Sequence, residues 1–311
     1  MRTLVTGGRG FIGSCVAQYF DLKGADVRIS SRQCSGDQGF DGIECCSVSN
    51  LSSSNNWSKA LTGVDVVIHC AGRAHILRDS SLDPLGHFRI ANRDGTLNLA
   101  RQAANMGVKR FVFLSTIGVN GSASIPGKPF SEVDVPAPHG PYALSKLEAE
   151  LGLFEISMLT GMEVVIIRPP LVYGYSAPGN FSLLVKVIRN RIPLPFGAIK
   201  NLRSMVFVEN LADFIYEAAR HPLAANQIFL ICDGEDLSIG KIVLNLSKAM
   251  KLNSILVPLP PLIVSAAAKF FGAHAIFDKL CGTLQVDSSK ATKLLGWSPP
   301  FSLDEGFSRS V

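Results

Sequence analysis

A short apolar run, Arg2 to Thr6, passes directly into Gly7-Gly8-Arg9-Gly10-Phe11-Ile12-Gly13 and then into a helix-forming stretch. A strand, a tight glycine turn and a helix in that order form the opening βα unit of a layered fold. The pattern then repeats. Apolar runs ("ADVRIS", "GIECCS", "VDVVIHCAG", "KRFVFLST", "MEVVIIRPP") alternate with helical stretches such as "ANRDGTLNLARQAANMG" and "YALSKLEAELGLFEISMLTG". The runs are continuously apolar, which marks a parallel sheet covered on both faces. Gly24, Gly107 and Gly161 stand where helix C-caps belong. The expected class is therefore α/β, with a Rossmann-type doubly wound parallel sheet.

After "RPPLVYGY" the rhythm breaks, prolines gather and helices shorten. Residues 1–173 are expected to form the nucleotide-binding domain and 174–311 a smaller, mainly substrate-binding C-terminal lobe. Part of 204–235 is expected to return to the first domain. With 311 residues, 47% hydrophobic and 18% charged, the chain can bury a full core and is not a disordered protein. A net charge of +5 without a Lys/Arg run argues against nucleic acid and suits an anionic small ligand. Residues 255–277 are apolar but broken by Pro258, Pro260, Pro261 and Lys269. They cannot span a bilayer, and a core or interface helix is expected there in preference to one resting on a membrane. Seven cysteines lack metal spacing, and the start of the chain is strand-like with no secretory leader. Reduced thiols in a cytoplasmic protein, and no metal, are the expectation.

The glycine loop suits a pyrophosphate: Gly10 admits the phosphate close to the backbone, Gly13 lets the helix pack on the strand, and the helix N-terminus offers N–H groups. At the end of the second strand, a carboxylate would hold the ribose 2′-hydroxyl of NAD. Ser30, Ser31 and Arg32 stand there instead, and with Arg9 they suit the 2′-phosphate of NADP. "PYALSK" sets Tyr142 and Lys146 four apart on one helix face. An ammonium beside a phenol is expected to lower the phenol's pKa and make it a usable acid/base. Upstream, "FLSTIGVNG" offers Ser115 and Thr116 as hydroxyls at a strand end.

In this order, "VTGGRGFIGS", "VIHCAG", "NRDGT", "YALSK", "RPPLVYG" and "VDSSKATKLLGWSPP" resemble the extended short-chain dehydrogenase/reductase family, in its nucleotide-sugar epimerase, dehydratase and reductase branch, over nearly the whole chain. The resemblance implies catalysis by Thr116, Tyr142 and Lys146, with Lys146 also on the nicotinamide ribose. It implies a cofactor lining of Gly7, Arg9, Gly10, Phe11, Ile12, Gly13, Ser31, Arg32, Ser47, Val48, Cys70, Ala71, Gly72, Asn92, Ser115, Pro169 and Val172. Ser47 and Val48 fall where the family often has an Asp-hydrophobic pair at the adenine. Asn180, Phe196 and Arg203, with Thr116, are the implied substrate contacts; packing is an equally good reading of Phe196. The implied activity is NADPH-dependent reduction of the C4 ketone of a nucleotide-diphosphate sugar, such as UDP-2-acetamido-2,6-dideoxy-hexos-4-ulose, in bacterial surface-polysaccharide (O-antigen) synthesis. The alternative is a UDP-glucose or UDP-N-acetylglucosamine 4-epimerase that retains NAD. A dehydratase is disfavoured because Ile117 and Gly118, not acids, follow Thr116. A silent NADP-binding regulator is remote, since the Tyr/Lys pair is kept. A homodimer through the apolar faces of "NLARQAANMG" and the Tyr142 helix is the implied assembly.

Overall fold

The computed structural model describes residues 1–34, 42–74, 83–272 and 274–311; His75, to which the sequence assigns no role, lies outside them. Nine strands follow in chain order: β1 (Arg2–Thr6), β2 (Asp26–Ser31), β3 (Glu44–Ser47), β4 (Val66–His69), β5 (Arg110–Leu114), β6 (Glu163–Arg168), β7 (Leu171–Tyr173), β8 (Met205–Phe207) and β9 (Gln227–Leu230). Seven of them form one parallel sheet in the order β3-β2-β1-β4-β5-β6-β9, and β7 and β8 form a separate parallel pair. This is the Rossmann-type sheet expected from the sequence.

The reason lies in the side chains. Successive residues of a strand point to opposite faces, and here both faces are apolar. Val5, Ile29, Ile68, Val112 and Ile167 pack below helices Phe11–Leu22 and Val208–Arg220. Leu4, Val67, Phe111, Phe113 and Ile166 pack under helices Gly95–Asn105 and Gly140–Thr160. Two side-chain donors fasten the first face: Tyr19 Oη and Trp297 Nε1 both donate to Asp213, at 2.5 and 2.6 Å. A third cluster, including Phe181, Leu184, Ile239, Val243 and Phe307, is the core of the C-terminal part.

Strand order reverses between β1 and β4, so a crevice opens at their carboxyl ends. There Gly7 (φ +67°) turns the chain, and a Cβ on it would lie 2.9 Å from the backbone of Ala71. Only glycine fits between the two strand ends.

One expectation fails at the edge of the sheet. Cys34 and Cys45 are joined by a disulfide, with Cα atoms 5.7 Å apart, which ties the chain just past β2 to β3. Cys15, Cys46, Cys70, Cys232 and Cys281 are free thiols. Of the core or interface helix expected at 255–277, the core half does not hold for Pro261–Phe270: Val264 is its one buried side chain, while Leu262, Ile263 and Phe270 face outward. Among the described residues, no helix is long and apolar enough to cross a membrane, and no cluster of His, Cys and acids could hold a metal.

Candidate active site

The helix Gly140–Thr160 carries the chemistry. It starts beside the end of β5, with Pro141 in its first turn and Gly161 (φ +75°) closing it. Tyr142, Lys146 and Glu150 follow at intervals of four and share a face. Ser145 Oγ donates to the Tyr142 carbonyl at 2.8 Å, holding the first turn.

Lys146 is buried. Its Nζ donates to the Leu114 carbonyl at 2.8 Å and lies 4.3 Å from the centre of the Phe113 ring. Burial pulls its pKa down to about 8, against the opposing pull of Cys70 and Glu150. Tyr142 keeps part of its surface open, beside Phe88, but burial pushes its phenol up to about 12. The lowering expected from the neighbouring ammonium is therefore not found. Loss of water around the phenol outweighs an ammonium already bonded to a carbonyl. At neutral pH Tyr142 is the protonated phenol.

Thr116 continues from β5 in extended conformation, half-buried, and its Oγ1 accepts from Gly118 N at 3.2 Å. A Cβ on Gly118 would sit 3.4 Å from Ala143 Cβ and 3.5 Å from Thr116 Oγ1, so this turn brings Thr116 up to the Tyr142 helix. The Thr116 hydroxyl keeps its own proton to donate. Ser115, one residue earlier, points the other way: its hydroxyl donates to the buried Glu150 carboxylate. Its proton is thus spent on a buried carboxylate, so toward the cofactor it is expected to line the Ser115 side chain can offer only an acceptor.

Glu150 belongs to a network the sequence reading did not single out. Arg168, at the end of β6, donates Nε to both its oxygens (3.1 and 3.2 Å) and Nη2 to Oε2 at 2.5 Å. Arg168 Nη1 donates to Asn120 Oδ1 at 3.0 Å, and both members of the ion pair are 2% exposed. The network ties β5, β6 and the Tyr142 helix together directly behind Thr116. The i, i+4, i+8 spacing of Tyr142, Lys146 and Glu150 was the available signal for it.

On the other wall, Asn92 is buried in a π-helical turn, Arg89–Asp94. Its Oδ1 accepts from Arg73 N at 2.8 Å, and its Nδ2 donates to the Arg73 carbonyl and to Ser145 Oγ, each at 3.1 Å. Asn92 thus clamps the loop after β4 to the Tyr142 helix, with both amide protons spent inside the protein and one Oδ1 lone pair left to accept. A Cβ on Gly72 would stand 3.1 Å from Asn92 Oδ1 and 3.6 Å from Lys146 Nζ, so this loop closes on the lysine. His69 is fully buried between Thr6 Oγ1 (2.6 Å) and Thr96 Oγ1 (2.9 Å). Burial holds it down to about 3, a neutral structural imidazole. Cys70, half-buried beside it, has its thiol pushed up to about 12 by burial.

The glycine loop ends at Gly10, the N-cap of helix Phe11–Leu22, with no side chain capping it and no acid in the first turn. A Cβ on Gly13 would lie 2.2 Å from the Gly7 carbonyl oxygen, so the loop folds tightly onto the helix. An uncapped, acid-free helix start at the switch-point crevice fits the pyrophosphate of a dinucleotide. At the far end of the crevice, Ser47 pairs with Ser31, Val48 N donates to the Ser31 carbonyl at 2.9 Å, and Arg32 Nη1 reaches Asn50 Oδ1 at 3.5 Å. Arg9 faces a further space. It lines a cavity of about 600 Å³ with Phe11, Ser14, Tyr175, Glu209 and Arg309 among its walls, and no residue of β2 or β3 borders that space.

Pro169 accepts from Ile117 N at 3.0 Å, and Val172 pairs with Val206 in the β7–β8 sheet. On the C-terminal side, Asn180 begins the helix Asn180–Arg189 and is half-buried. Arg203 Nη1 donates to the Gly282 carbonyl at 3.0 Å, and burial lowers its pKa while the Cys281 thiol opposes that. Phe196 is buried in the C-terminal core with Leu194, Ile199 and Ile239. Its ring is part of that packing.

A dinucleotide crevice at a Rossmann switch point, flanked by a Tyr-x-x-x-Lys helix and a strand-end threonine, defines a nicotinamide-dependent class of protein. The NAD dependent epimerase/dehydratase family matches residues 3–232, and the chain belongs to that family. It is 42% identical over 309 residues (99% of this chain, 94% of the relative) to a UDP-glucose 4-epimerase of Vibrio cholerae. An Escherichia coli O157:H7 protein, N-acetyl-alpha-D-glucosaminyl-diphospho-ditrans,octacis-undecaprenol 4-epimerase, is 25% identical, with 99% and 93% of the two chains covered. Among solved structures, the UDP-glucose 4-epimerase of Thermotoga maritima with UDP-glucose has a TM-score of 0.80 at 23% identity, covering 100% of this chain and 97% of that one. The UDP-glucose 4-epimerase of Thermus thermophilus in complex with NAD has a TM-score of 0.78, with 23% identity and the same coverage.

Proposed function

We propose that the protein interconverts UDP-hexoses, or their 2-acetamido counterparts, at C4 of the sugar. The observation that carries this reading is the 42% identity to the Vibrio cholerae 4-epimerase along 99% of the chain. It favours the activity that the sequence alone ranks second. Tyr142, Lys146 and Thr116 are the proposed catalytic residues. Bound nicotinamide supplies an acceptor and donor for the C4 hydrogen. Tyr142 moves the proton of the C4 oxygen, Thr116 donates a hydrogen bond to that oxygen, and Lys146 sets the charge beside the phenol. Gly10 to Gly13 are proposed to hold the pyrophosphate, and Ser31, Arg32, Ser47 and Val48 the adenosine end. Arg203, a half-buried cation bonded to a backbone carbonyl, is proposed for the substrate diphosphate, together with Asn180 at the start of helix Asn180–Arg189.

A second reading, NADPH-dependent reduction of a 4-keto sugar, has its own support. Tyr142 is held protonated, the form that donates to a C4 alkoxide, and β2 ends in serines and Arg32 with no carboxylate to prefer NAD. The two readings part in one experiment. Purified protein is incubated with UDP-N-acetylglucosamine or UDP-glucose alone, and separately with UDP-4-keto-6-deoxy-N-acetylglucosamine plus NADPH. Interconversion of gluco and galacto sugars without added cofactor supports the epimerase. Stoichiometric loss of NADPH in the second tube, with no epimer in the first, overturns it in favour of the reductase. A homodimer through the outer face of helix Gly140–Thr160 is also proposed, supported by its exposed Leu151, Met158 and Leu159.

A further inference from the structure

The helix Pro261–Phe270 presents its apolar side to solvent. Leu262 is 82% exposed, Phe270 85% and the following Phe271 79%, with Ile263 more than half exposed. At 100° per residue, Leu262, Ile263, Ala266 and Phe270 fall on one stripe with Lys269 on its border, opposite the buried Val264. Phe270 and Phe271 pack edge to face, centroids 5.2 Å apart, so the two rings project as a unit. Isolated surface apolar residues are ordinary, but three large ones on a single short helix with a fourth at its C-cap are not.

The surrounding charge selects the partner. Along the chain from Ile239 to Cys281 there are five lysines (Lys241, Lys248, Lys251, Lys269 and Lys279), of which Lys248 faces Asp304 at 3.7 Å, and one carboxylate, Asp278. That carboxylate is already paired with His274 at 2.7 Å. An apolar stripe with Lys269 on its border, in a lysine-rich stretch of the chain, matches an anionic lipid surface, where acyl chains take the rings and headgroups take the ammonium groups. The stripe exposes on the order of 500 Å², short of the roughly 800 Å² per partner that a stable protein interface needs. Prolines 258, 260 and 261 set the helix off from the body of the lobe, and ten residues are too few to cross a bilayer.

We propose that this helix docks the protein onto an anionic membrane surface, with Leu262, Ile263, Phe270 and Phe271 seated at the headgroup boundary and Lys251, Lys269 and Lys279 over the lipid phosphates. The docking needs neither turnover nor the proposed substrate.

The test is flotation of the purified full-length protein with vesicles of phosphatidylglycerol and phosphatidylethanolamine, and with vesicles of phosphatidylcholine alone. Wild type floats with the anionic vesicles, and binding weakens as salt rises. Phe270→Ser/Phe271→Ser loses binding at least tenfold, and Lys251→Gln/Lys269→Gln/Lys279→Gln loses it about as strongly at low salt. Circular dichroism establishes that each variant is folded, and sedimentation measures its oligomeric state. Absence of flotation by the wild type overturns the proposal. So does binding that the folded phenylalanine variant retains. If the wild type fails to float and the phenylalanine variant changes oligomeric state, the stripe is a face between copies of this chain.

Discussion

Replacing Glu150 by Gln keeps the side chain's shape and removes its charge, leaving the Arg168 guanidinium buried with a neutral partner. Arg168 makes three hydrogen bonds to that carboxylate, at 3.1, 3.2 and 2.5 Å, and one to Asn120 at 3.0 Å. Both charged groups are 2% exposed, so water cannot replace the lost partner. Breaking a buried pair on one side costs about 3–5 kcal/mol, whereas replacing both members by apolar residues of similar volume is often near neutral. Glu150→Gln is therefore expected to lower unfolding stability by about 3 kcal/mol, and Glu150→Gln/Arg168→Met by clearly less. Ser115→Ala removes one hydrogen bond from the same carboxylate and should cost about 1 kcal/mol without changing cofactor affinity. The assay is urea unfolding followed by circular dichroism, with NAD(P)H affinity measured in parallel by fluorescence. A Glu150→Gln loss below about 1 kcal/mol would refute the claim that an uncompensated charge is left inside. A cofactor Kd raised about tenfold by Ser115→Ala would show that the Ser115 hydroxyl also holds the cofactor.

Gly13→Ala places a methyl 2.2 Å from the Gly7 carbonyl, which the backbone cannot move aside, so loss of NAD(P)H binding or of folding is expected by titration and thermal melting. Tyr142→Phe should abolish turnover and spare cofactor binding, while Lys146→Met should harm both; steady-state kinetics and a binding titration separate the two. His69 is held down to about 3 in the folded chain against an ordinary 6.5, so the unfolded chain binds the extra proton in between. Its contribution to stability is complete above about pH 6.5 and is lost as pH falls toward 3, with a slope of up to about 1.4 kcal/mol per pH unit. His69→Gln should flatten that part of the stability–pH curve, measured by urea unfolding at several pH values.

The sheet is legible in the sequence because its signal is local. Each strand is buried on both faces and reads as a continuous apolar run, and Gly7, Gly10 and Gly13 mark the turn at the switch point. Tyr142 and Lys146 are legible because one helix carries both. What the sequence conceals depends on distant partners. Ser115 and Thr116 read alike as strand-end hydroxyls, and only the position of Glu150 separates them. Arg9 and Arg32 read as one phosphate site, yet Arg9 borders a cavity shared with Tyr175, Glu209 and Arg309. The phenol's pKa misleads because the nearby ammonium is visible in the helical spacing and the burial is not. Phe196 and Phe270 are both phenylalanines in apolar surroundings along the chain, and only the fold buries one and exposes the other.

The proposed 4-epimerase chemistry requires the hydrogen taken from C4 to return to C4 without exchanging with water. Incubating the protein with UDP-glucose deuterated at C4, in ordinary water and without added cofactor, tests this directly by NMR and mass spectrometry. UDP-galactose that keeps its deuterium at C4 is the expected result. UDP-galactose carrying solvent hydrogen at C4, or no UDP-galactose or other C4 epimer from either the glucose or the N-acetylglucosamine substrate, would contradict it.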